Sequence, residues 1–234
     1  MILMLQEIKM IPKNDLIFVD QIEVADKISE ILLDLQNYVV VCANLSSVII
    51  ADIICRNLKL NFTILFSENI ISPNNPDCDI AFVSETNELI INDKLVDCFD
   101  ITKDFIFGQA NRIYEEKILK KIYKYRKGSS LENLKGKNIL LIDDGCENEL
   151  NILVCAQTLS NLGANLISYA TPLICEFSLN ALKTNFYDIF CIHKILDFVG
   201  VDFYYENKII PKDEIILSIL EENPYFLPFK KQGE

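Results

Sequence analysis

The chain has 234 residues, of which half are hydrophobic, and a formal net charge of -12. A chain of this length and hydrophobic content can bury one full core, so we predict a single domain over residues 1–234. The negative charge argues against nucleic acid or an anionic membrane as a partner, because the chain repels phosphates. No run of eighteen or more apolar residues occurs, so no membrane-spanning helix is expected.

The cysteines give an indication of the compartment. All eight are spread through apolar runs, and none forms a CxxC pair. His193 is the only histidine, so the sequence offers no cluster of zinc ligands. Buried reduced thiols are typical of a cytosolic protein, and we therefore expect a cytoplasmic location.

The first half of the chain alternates helical and extended patterns. Apolar residues recur at helical spacing from Val24 to Leu35, with Asp20 as a candidate N-cap, and a second helix is predicted over Val48–Leu58. Between and after these helices, runs of β-branched and aromatic residues predict strands, and the Pro73–Pro76 segment predicts a turn. The predicted strands are Tyr38–Cys42, Phe62–Phe66, Ile80–Val83 and Glu88–Ile91.

The second half begins with a long helical pattern over residues 102–127, whose last turns are rich in lysine and arginine. The Gly128–Gly136 linker leads into a strand, and Asn148 and Gly163 mark the start and end of the next helix. The remaining predictions are strands Asn138–Ile142, Asn165–Ala170 and Ile189–Ile192 and helices Glu149–Asn161 and Ser178–Lys183. This alternation predicts an α/β fold with a mostly parallel, twisted sheet flanked by helices.

Two carboxylates, Asp143 and Asp144, directly follow the apolar strand Asn138–Ile142. In an open α/β sheet the ligand binds at the carboxyl ends of the strands, so this pair predicts the candidate site. His193 lies just past another predicted strand. Together with Lys194 and Asp197 it would form either a proton relay or a structural contact.

The strand with its paired aspartates resembles the first strand of a receiver domain, where such a pair holds magnesium, but it lies too late in the chain for that fold. A broader resemblance is to the type I phosphoribosyltransferase family, and within it to a bacterial subgroup of predicted phosphoribosyltransferases. The motifs that carry it occur in order along the chain: Pro73-Asn74-Asn75-Pro76, Tyr125-Arg126-Lys127-Gly128, Leu134-Lys135-Gly136-Lys137, the strand ending in Asp143-Asp144, Phe198-Val199-Gly200 and Phe203-Tyr204.

The resemblance implies a type I phosphoribosyltransferase-like fold with a long helix and a small hood, formed from the N-terminal, C-terminal and 70–95 segments. It also implies a homodimer and a small phosphorylated or nucleotide-like ligand, with magnesium as the cofactor of an active enzyme. Asp143 and Asp144 would face the ribose of phosphoribosyl pyrophosphate, and the following loop would hold its 5-phosphate at a helix N-terminus. The phosphate-loop positions are Gly145, Cys146, Glu147, Asn148, Glu149 and Asn151.

The phosphate loop departs from the family pattern. Asn148 and Asn151 stand where the family has threonine. Glu149 replaces a glycine, and Glu147 adds another carboxylate. A carboxylate about 4 Å from a phosphate opposes binding by roughly 1 kcal/mol in water-like surroundings and by about 4 kcal/mol at an effective dielectric near 20. The sequence therefore predicts weakened phosphate binding.

The pyrophosphate side departs as well. Where the subgroup has a proline-arginine-glycine-glycine loop, this chain has Asn44, Leu45, Ser46 and Ser47. A basic pair of the subgroup is replaced by Glu68-Asn69. The missing charges are those that would stabilise a pyrophosphate leaving group, so their loss predicts weak or absent transfer.

Three functional hypotheses follow from these residues. The first is a phosphoribosyltransferase-like protein with weak or no transfer that acts as a binding or regulatory module. The second is an active transferase with an unidentified base, in which Arg126 and Lys127 form a basic lip over the site. The third is a divalent-cation site built from carboxylates, which would be Asp143, Asp144, Glu147 and Glu149.

Overall fold

The computed structural model describes residues 17–33, 35–131 and 134–227. The parts of the predicted hood that belong to residues 1–16 and 228–234 lie outside the described residues. Across the described ranges, no helix is both long enough and apolar enough to cross a membrane.

Strands and helices alternate along the described chain. The strands are β1 (Tyr38–Cys42), β2 (Asn61–Ile64), β3 (Ser67–Ser72), β4 (Asn75–Ser84), β5 (Leu89–Ile91), β6 (Asn138–Ile142), β7 (Leu166–Cys175) and β8 (Ile189–Ile195). The helices are α1 (Gln21–Ile31), α2 (Val48–Leu58), α3 (Asp93–Cys98), α4 (Lys103–Ile113), α5 (Leu119–Arg126), α6 (Glu149–Asn161), α7 (Glu176–Leu182) and α8 (Asp213–Glu222). A π-helical turn, Tyr114–Ile118, joins α4 to α5, and Val201–Tyr204 is a short 3-10 helix.

The main sheet has five parallel strands in the order β2-β1-β6-β7-β8, and β3, β4 and β5 form a separate antiparallel sheet. Alternate residues of β6 point into two different cores, Leu140 and Ile142 into one and Ile139 and Leu141 into the other. A strand with both faces buried has to be apolar throughout, which explains its uninterrupted hydrophobic sequence. The predicted α/β fold with a mostly parallel sheet is confirmed.

Local signals in the sequence locate several elements correctly. The Asp20 side chain caps α1 by accepting hydrogen bonds from the backbone N–H groups of Ile22 and Glu23. Asn148 caps α6 in the same way, through the N–H of Leu150. The predicted long helix runs from Lys103 to Arg126 with the π-helical turn inside it.

Other elements depend on contacts that are distant in sequence. The sequence pattern does not predict β3, α3 or α8, and β3 is a mostly polar segment that is extended because it pairs with β4. The end of the described chain packs on the outer edge of β2. There the Phe62 N–H donates to the Tyr225 carbonyl (2.9 Å) and the Leu227 N–H donates to the Phe62 carbonyl (2.7 Å).

Candidate functional site

A cleft of about 630 Å³ opens at the carboxyl ends of β1 and β6. The register of these strands places Cys42 beside Ile142, so the residues that follow both strands meet at one edge of the sheet. Most of the polar lining of the cleft comes from the loops after β1 and β6 and from the start of β4. The lining residues include Asn44, Ser46, Asp77, Cys78, Asp79, Phe82, Asp143, Asp144, Gly145, Glu147, Asn148, Asn151, Val201 and Lys208.

Asp143 is buried at the floor of the cleft. The Tyr169 hydroxyl donates to its Oδ2 (2.6 Å), and the Gly145 N–H donates to its Oδ1 (3.1 Å). Burial raises the pKa of Asp143 to about 7, and the negative charge of the neighbouring Asp144 also raises it. The hydrogen bonds to the carboxylate lower this pKa but do not outweigh burial. At neutral pH the carboxyl is therefore divided between its protonated and ionised forms.

Asp144 is occupied on both oxygens. The Asn44 amide donates to its Oδ1 (2.9 Å), and the Lys208 ammonium lies 3.0 Å from its Oδ2. The Tyr205 hydroxyl donates to its backbone carbonyl (2.9 Å). Burial opposes the charge on Lys208, but the carboxylates of Asp144 and Asp202 outweigh it and raise the pKa of Lys208. Both aspartates thus have their carboxylate oxygens bonded within the chain.

The first phosphate-loop positions are tightly packed. Gly145 has φ +146°, and a Cβ there would lie 2.7 Å from Val201 Cγ2, so no larger residue fits without movement. Cys146 is buried beneath it and donates its N–H to the Leu173 carbonyl (2.8 Å). Burial raises the pKa of the Cys146 thiol well above its usual value, so it is no thiolate nucleophile at neutral pH.

Three of the four remaining phosphate-loop side chains bond to other parts of the chain. The Asn148 amide donates to Asp79 Oδ2 (3.1 Å) while its oxygen caps α6. Glu149 accepts from the Ser178 hydroxyl (3.0 Å), and Asn151 accepts from the Ser67 hydroxyl (2.6 Å). Only Glu147 of this group presents a carboxylate to the cleft.

The pyrophosphate-loop positions form a compact turn. The side-chain Oδ1 of Asn44 accepts from the Ser47 backbone N–H (2.8 Å), and the Ser47 hydroxyl donates to the Asn44 backbone carbonyl (2.8 Å). Asn44 and Leu45 also line a smaller cavity of about 190 Å³ beside the cleft, whereas Ser46 lines the main cleft. Ser47 is buried.

Glu68 and Asn69 lie in the same smaller cavity. Glu68 forms ion pairs with Lys121 and, at 3.6 Å, with Lys117, both from the long helix. Asn69 donates to Asp79 Oδ1 (2.6 Å). The basic side chains that reach this region therefore come from the middle of the long helix rather than from its end.

The prediction that Arg126 forms part of a basic lip over the site is wrong. Its side chain is fully buried and forms an ion pair with Glu85, and its guanidinium lies 5.1 Å from the Phe66 ring centre. Lys127 is exposed and ends α5 in a left-handed conformation (φ 53°), outside the cleft lining. The basic run marks a helix end, but the fold turns Arg126 inward because Glu85 lies there.

The predicted divalent-cation site is not formed. The described residues contain no group of three or more histidine, cysteine, aspartate or glutamate side chains placed to hold a metal ion. Glu149 is turned toward Ser178, and the oxygens of Asp143 and Asp144 already have partners.

Several residues at the site have no local sequence signal. Lys208, Tyr169 and Tyr205 contact the aspartate pair from segments that are distant in sequence. His193 is buried, stacks on Phe18 with the ring centres 5.4 Å apart, and does not line the cleft. This position favours the structural interpretation of His193 over a proton relay.

No model of a known protein family matches the sequence, and no curated protein matches it closely enough to count. Among solved structures, the chain is similar to TT1426 from Thermus thermophilus, with 21% identity and a TM-score of 0.72 over 88% of this chain and 99% of that one. It also matches a purine phosphoribosyltransferase from Pyrococcus horikoshii, with 11% identity and a TM-score of 0.46 over 82% of this chain and 92% of that one.

The chain shares the fold of TT1426, a mostly parallel sheet flanked by helices with a small antiparallel sheet beside it, which agrees with the type I phosphoribosyltransferase-like fold predicted from the sequence. A hypoxanthine phosphoribosyltransferase from Staphylococcus aureus matches as well, with 14% identity and a TM-score of 0.42 over 77% of both chains. At 21% identity the likeness to TT1426 concerns the fold alone, so the activity has to be argued from the residues of the cleft.

Proposed function

We propose that this is a phosphoribosyltransferase-like protein that binds a small ligand in the cleft and has weak or no phosphoribosyl transfer. One observation carries the proposal: the side chains at the phosphate-loop positions Asn148, Glu149 and Asn151 bond to Asp79, Ser178 and Ser67. In a working phosphate loop, donors at these positions would face the ligand.

The start of α6 already has a side-chain cap from the chain itself. Asn148 accepts the Leu150 N–H, and the Glu149 carboxylate in the first turn interacts favourably with the helix dipole. A phosphate at this helix end would have to replace the Asn148 cap. It would also meet the carboxylates of Asp79 and Glu147, which line the same cleft.

The electrostatics of the cleft point the same way. The cleft is lined by the carboxylates of Asp77, Asp79 and Glu147, and none of them forms an ion pair among the described contacts. The basic residue in the lining is Lys208, which is shared by Asp144 and Asp202. Each carboxylate about 4 Å from a ligand phosphate costs roughly 1 to 4 kcal/mol. We therefore favour a ligand without phosphate groups over a phosphorylated one.

A pyrophosphate-release assay tests the proposal. With magnesium, phosphoribosyl pyrophosphate and each common nucleobase, the native protein is expected to release no pyrophosphate above the uncatalysed rate. The triple variant Asn148→Thr, Glu149→Gly, Asn151→Thr replaces the loop side chains with those of the family pattern and should bind the phosphorylated donor more tightly than the native protein. Base-dependent turnover by the native protein would overturn the proposal.

One observation favours the alternative of an active transferase. Lys121 lines the smaller cavity next to Asn44 and Asn69, so a cation is available on the pyrophosphate side if Glu68 releases it. The variant Glu68→Gln would then raise pyrophosphate affinity and turnover. In our proposal this variant stays inactive, because the phosphate loop is still closed.

The homodimer and the cytoplasmic location are further proposals. The homodimer rests on the family resemblance alone, and sedimentation of the full chain would test it. Two molecules per particle at micromolar concentration are expected, and a monomer at all concentrations would contradict the expectation.

A further inference from the structure

Lys208 reaches into the cleft from the irregular segment between the 3-10 helix and α8. Its ammonium lies 3.0 Å from Asp144 Oδ2 and 2.8 Å from Asp202 Oδ1. The Asp144 side chain is 7% exposed and that of Lys208 18%, whereas that of Asp202 is 82% exposed. The contact with Asp144 is therefore the shielded one, and Asp202 steadies the ammonium from the solvent side.

This contact closes Asp144 to ligands. Its Oδ1 accepts from Asn44 and its Oδ2 faces Lys208, while Asn44 is itself fixed by the turn at Ser47. The Lys208 ammonium takes the position beside Oδ2 that the cationic group of a ligand would occupy, so such a group has to displace it. The part of the cleft next to Asp144 is thus occupied from within the chain.

The segment that carries Lys208 is fixed on either side of it. Before it, the Tyr205 hydroxyl bonds to the Asp144 carbonyl. After it, the Gln21 side chain donates to the Ile209 carbonyl (2.7 Å) and accepts from the Ile209 N–H (2.9 Å). Between these anchors the long, flexible lysine side chain can leave the cleft by rotamer changes, without unfolding of the segment.

We propose that Lys208 is a tethered occupant of the cleft, an autoinhibitory contact that keeps Asp144 closed until a ligand group displaces the ammonium. The inference rests on the proposed function in that it takes the cleft as the ligand site. Since the native occupant is an ammonium held by carboxylates, the displacing group is expected to be a cationic hydrogen-bond donor.

Chemical rescue tests this proposal. Lys208→Ala removes the tethered ammonium and leaves space for a free one. Millimolar n-butylammonium chloride should raise the melting temperature of this variant by about 2 to 4 °C. The native protein and the control variant Lys212→Ala should show no such shift, and neither 1-butanol nor an equal concentration of sodium chloride should replace the amine.

A second measurement covers the case in which Lys208→Ala does not fold. Lys208→Met keeps the apolar stem of the side chain, and its backbone amides in residues 205–210 should exchange hydrogen roughly tenfold faster than in the native protein, with α2 unchanged. The absence of rescue in a folded Lys208→Ala, or unchanged exchange in Lys208→Met, would overturn the inference. Pyrophosphate release by the native protein would instead overturn the proposed function, and it leaves both of these readouts unaffected.

Discussion

Two ion pairs of this molecule have similar chemistry and different surroundings. Arg126 and Glu85 have side chains that are 0% and 3% exposed, and they join the end of α5 to the turn after β4. Lys208 and Asp144 lie at the cleft, and an irregular segment carries the lysine. The first pair is buried in the core, whereas the second lies at the cleft and covers a carboxylate.

The buried ion pair includes a residue of one motif that carries the family resemblance. Tyr125-Arg126-Lys127-Gly128 lies at the end of a basic helix, but Arg126 points into the core. The Phe66 N–H donates to the other Glu85 oxygen (3.0 Å), so the pair connects α5, the antiparallel sheet and the end of β2. The motif therefore supports the fold rather than the chemistry of the cleft.

The largest expected effect comes from breaking the buried pair. Arg126→Met should lower the free energy of unfolding by about 3 to 5 kcal/mol, because the Glu85 carboxylate is left buried without its partner. The matched control is Lys127→Met, at the exposed neighbouring position, which should change stability by about 0.5 kcal/mol or less. Urea denaturation measures both. An Arg126→Met protein as stable as the control would show that the pair does not hold the fold.

The next effect concerns the floor of the cleft. Gly145→Ala should cost about 1 to 3 kcal/mol, because its φ is unfavourable for alanine and its Cβ would meet Val201 at 2.7 Å. Adding Val201→Ala should recover the part due to the clash. Gly108→Ala is the control, since nothing lies within 4 Å of its added Cβ in α4, and it should stabilise the protein by about 0.5 to 1 kcal/mol.

Stability should also depend on the protonation of Asp143. Its folded-state pKa is raised to about 7, whereas that of an unfolded aspartate is about 3.9. The folded state binds the proton more tightly, so this contribution is complete below about pH 4 and is lost as the pH rises through about 7, by up to roughly 1.4 kcal/mol per pH unit. Asp143→Asn should remove that slope between pH 5 and 7, and the exposed control Asp197→Asn should keep it. Equal slopes in Asp143→Asn and the native protein would show that Asp143 is ionised throughout this range.

The smallest effect tests whether the phosphate loop closes on itself. Asn148→Ala should destabilise the protein by about 1 kcal/mol, because α6 loses its cap and Asp79 loses an amide donor. Asn148→Ser keeps a capping oxygen and should lose less. Thermal unfolding compares the two variants, and an Asn148→Ala protein that melts with the native one would show that the cap contributes nothing.

The sequence predicts those parts of the fold that have local causes. The apolar run of β6, the Asp20 and Asn148 caps and the helical spacing of α2 all depend on neighbouring residues, and each is found in the structure. The position of Asp143 and Asp144 at a sheet edge follows from the parallel strands alone. Their location in a cleft is therefore foreseeable.

The partners of these aspartates are not foreseeable from local pattern. Asn44 lies 100 residues before Asp144, and Tyr169 lies 26 residues after Asp143. Lys208 belongs to a segment with no helical or extended periodicity, so nothing in its neighbourhood indicates a role in the cleft. Arg126 is misplaced for the same reason, because its burial depends on Glu85, which lies 41 residues away.

We propose that the cleft keeps the fold of a phosphoribosyl donor site without its phosphate chemistry. Titration calorimetry of the native protein with phosphoribosyl pyrophosphate and magnesium tests it most directly. We expect no heat of binding up to millimolar ligand, because side chains of the phosphate loop are bonded within the chain and no ion pair among the described residues neutralises Asp77, Asp79 and Glu147. A micromolar dissociation constant would contradict it.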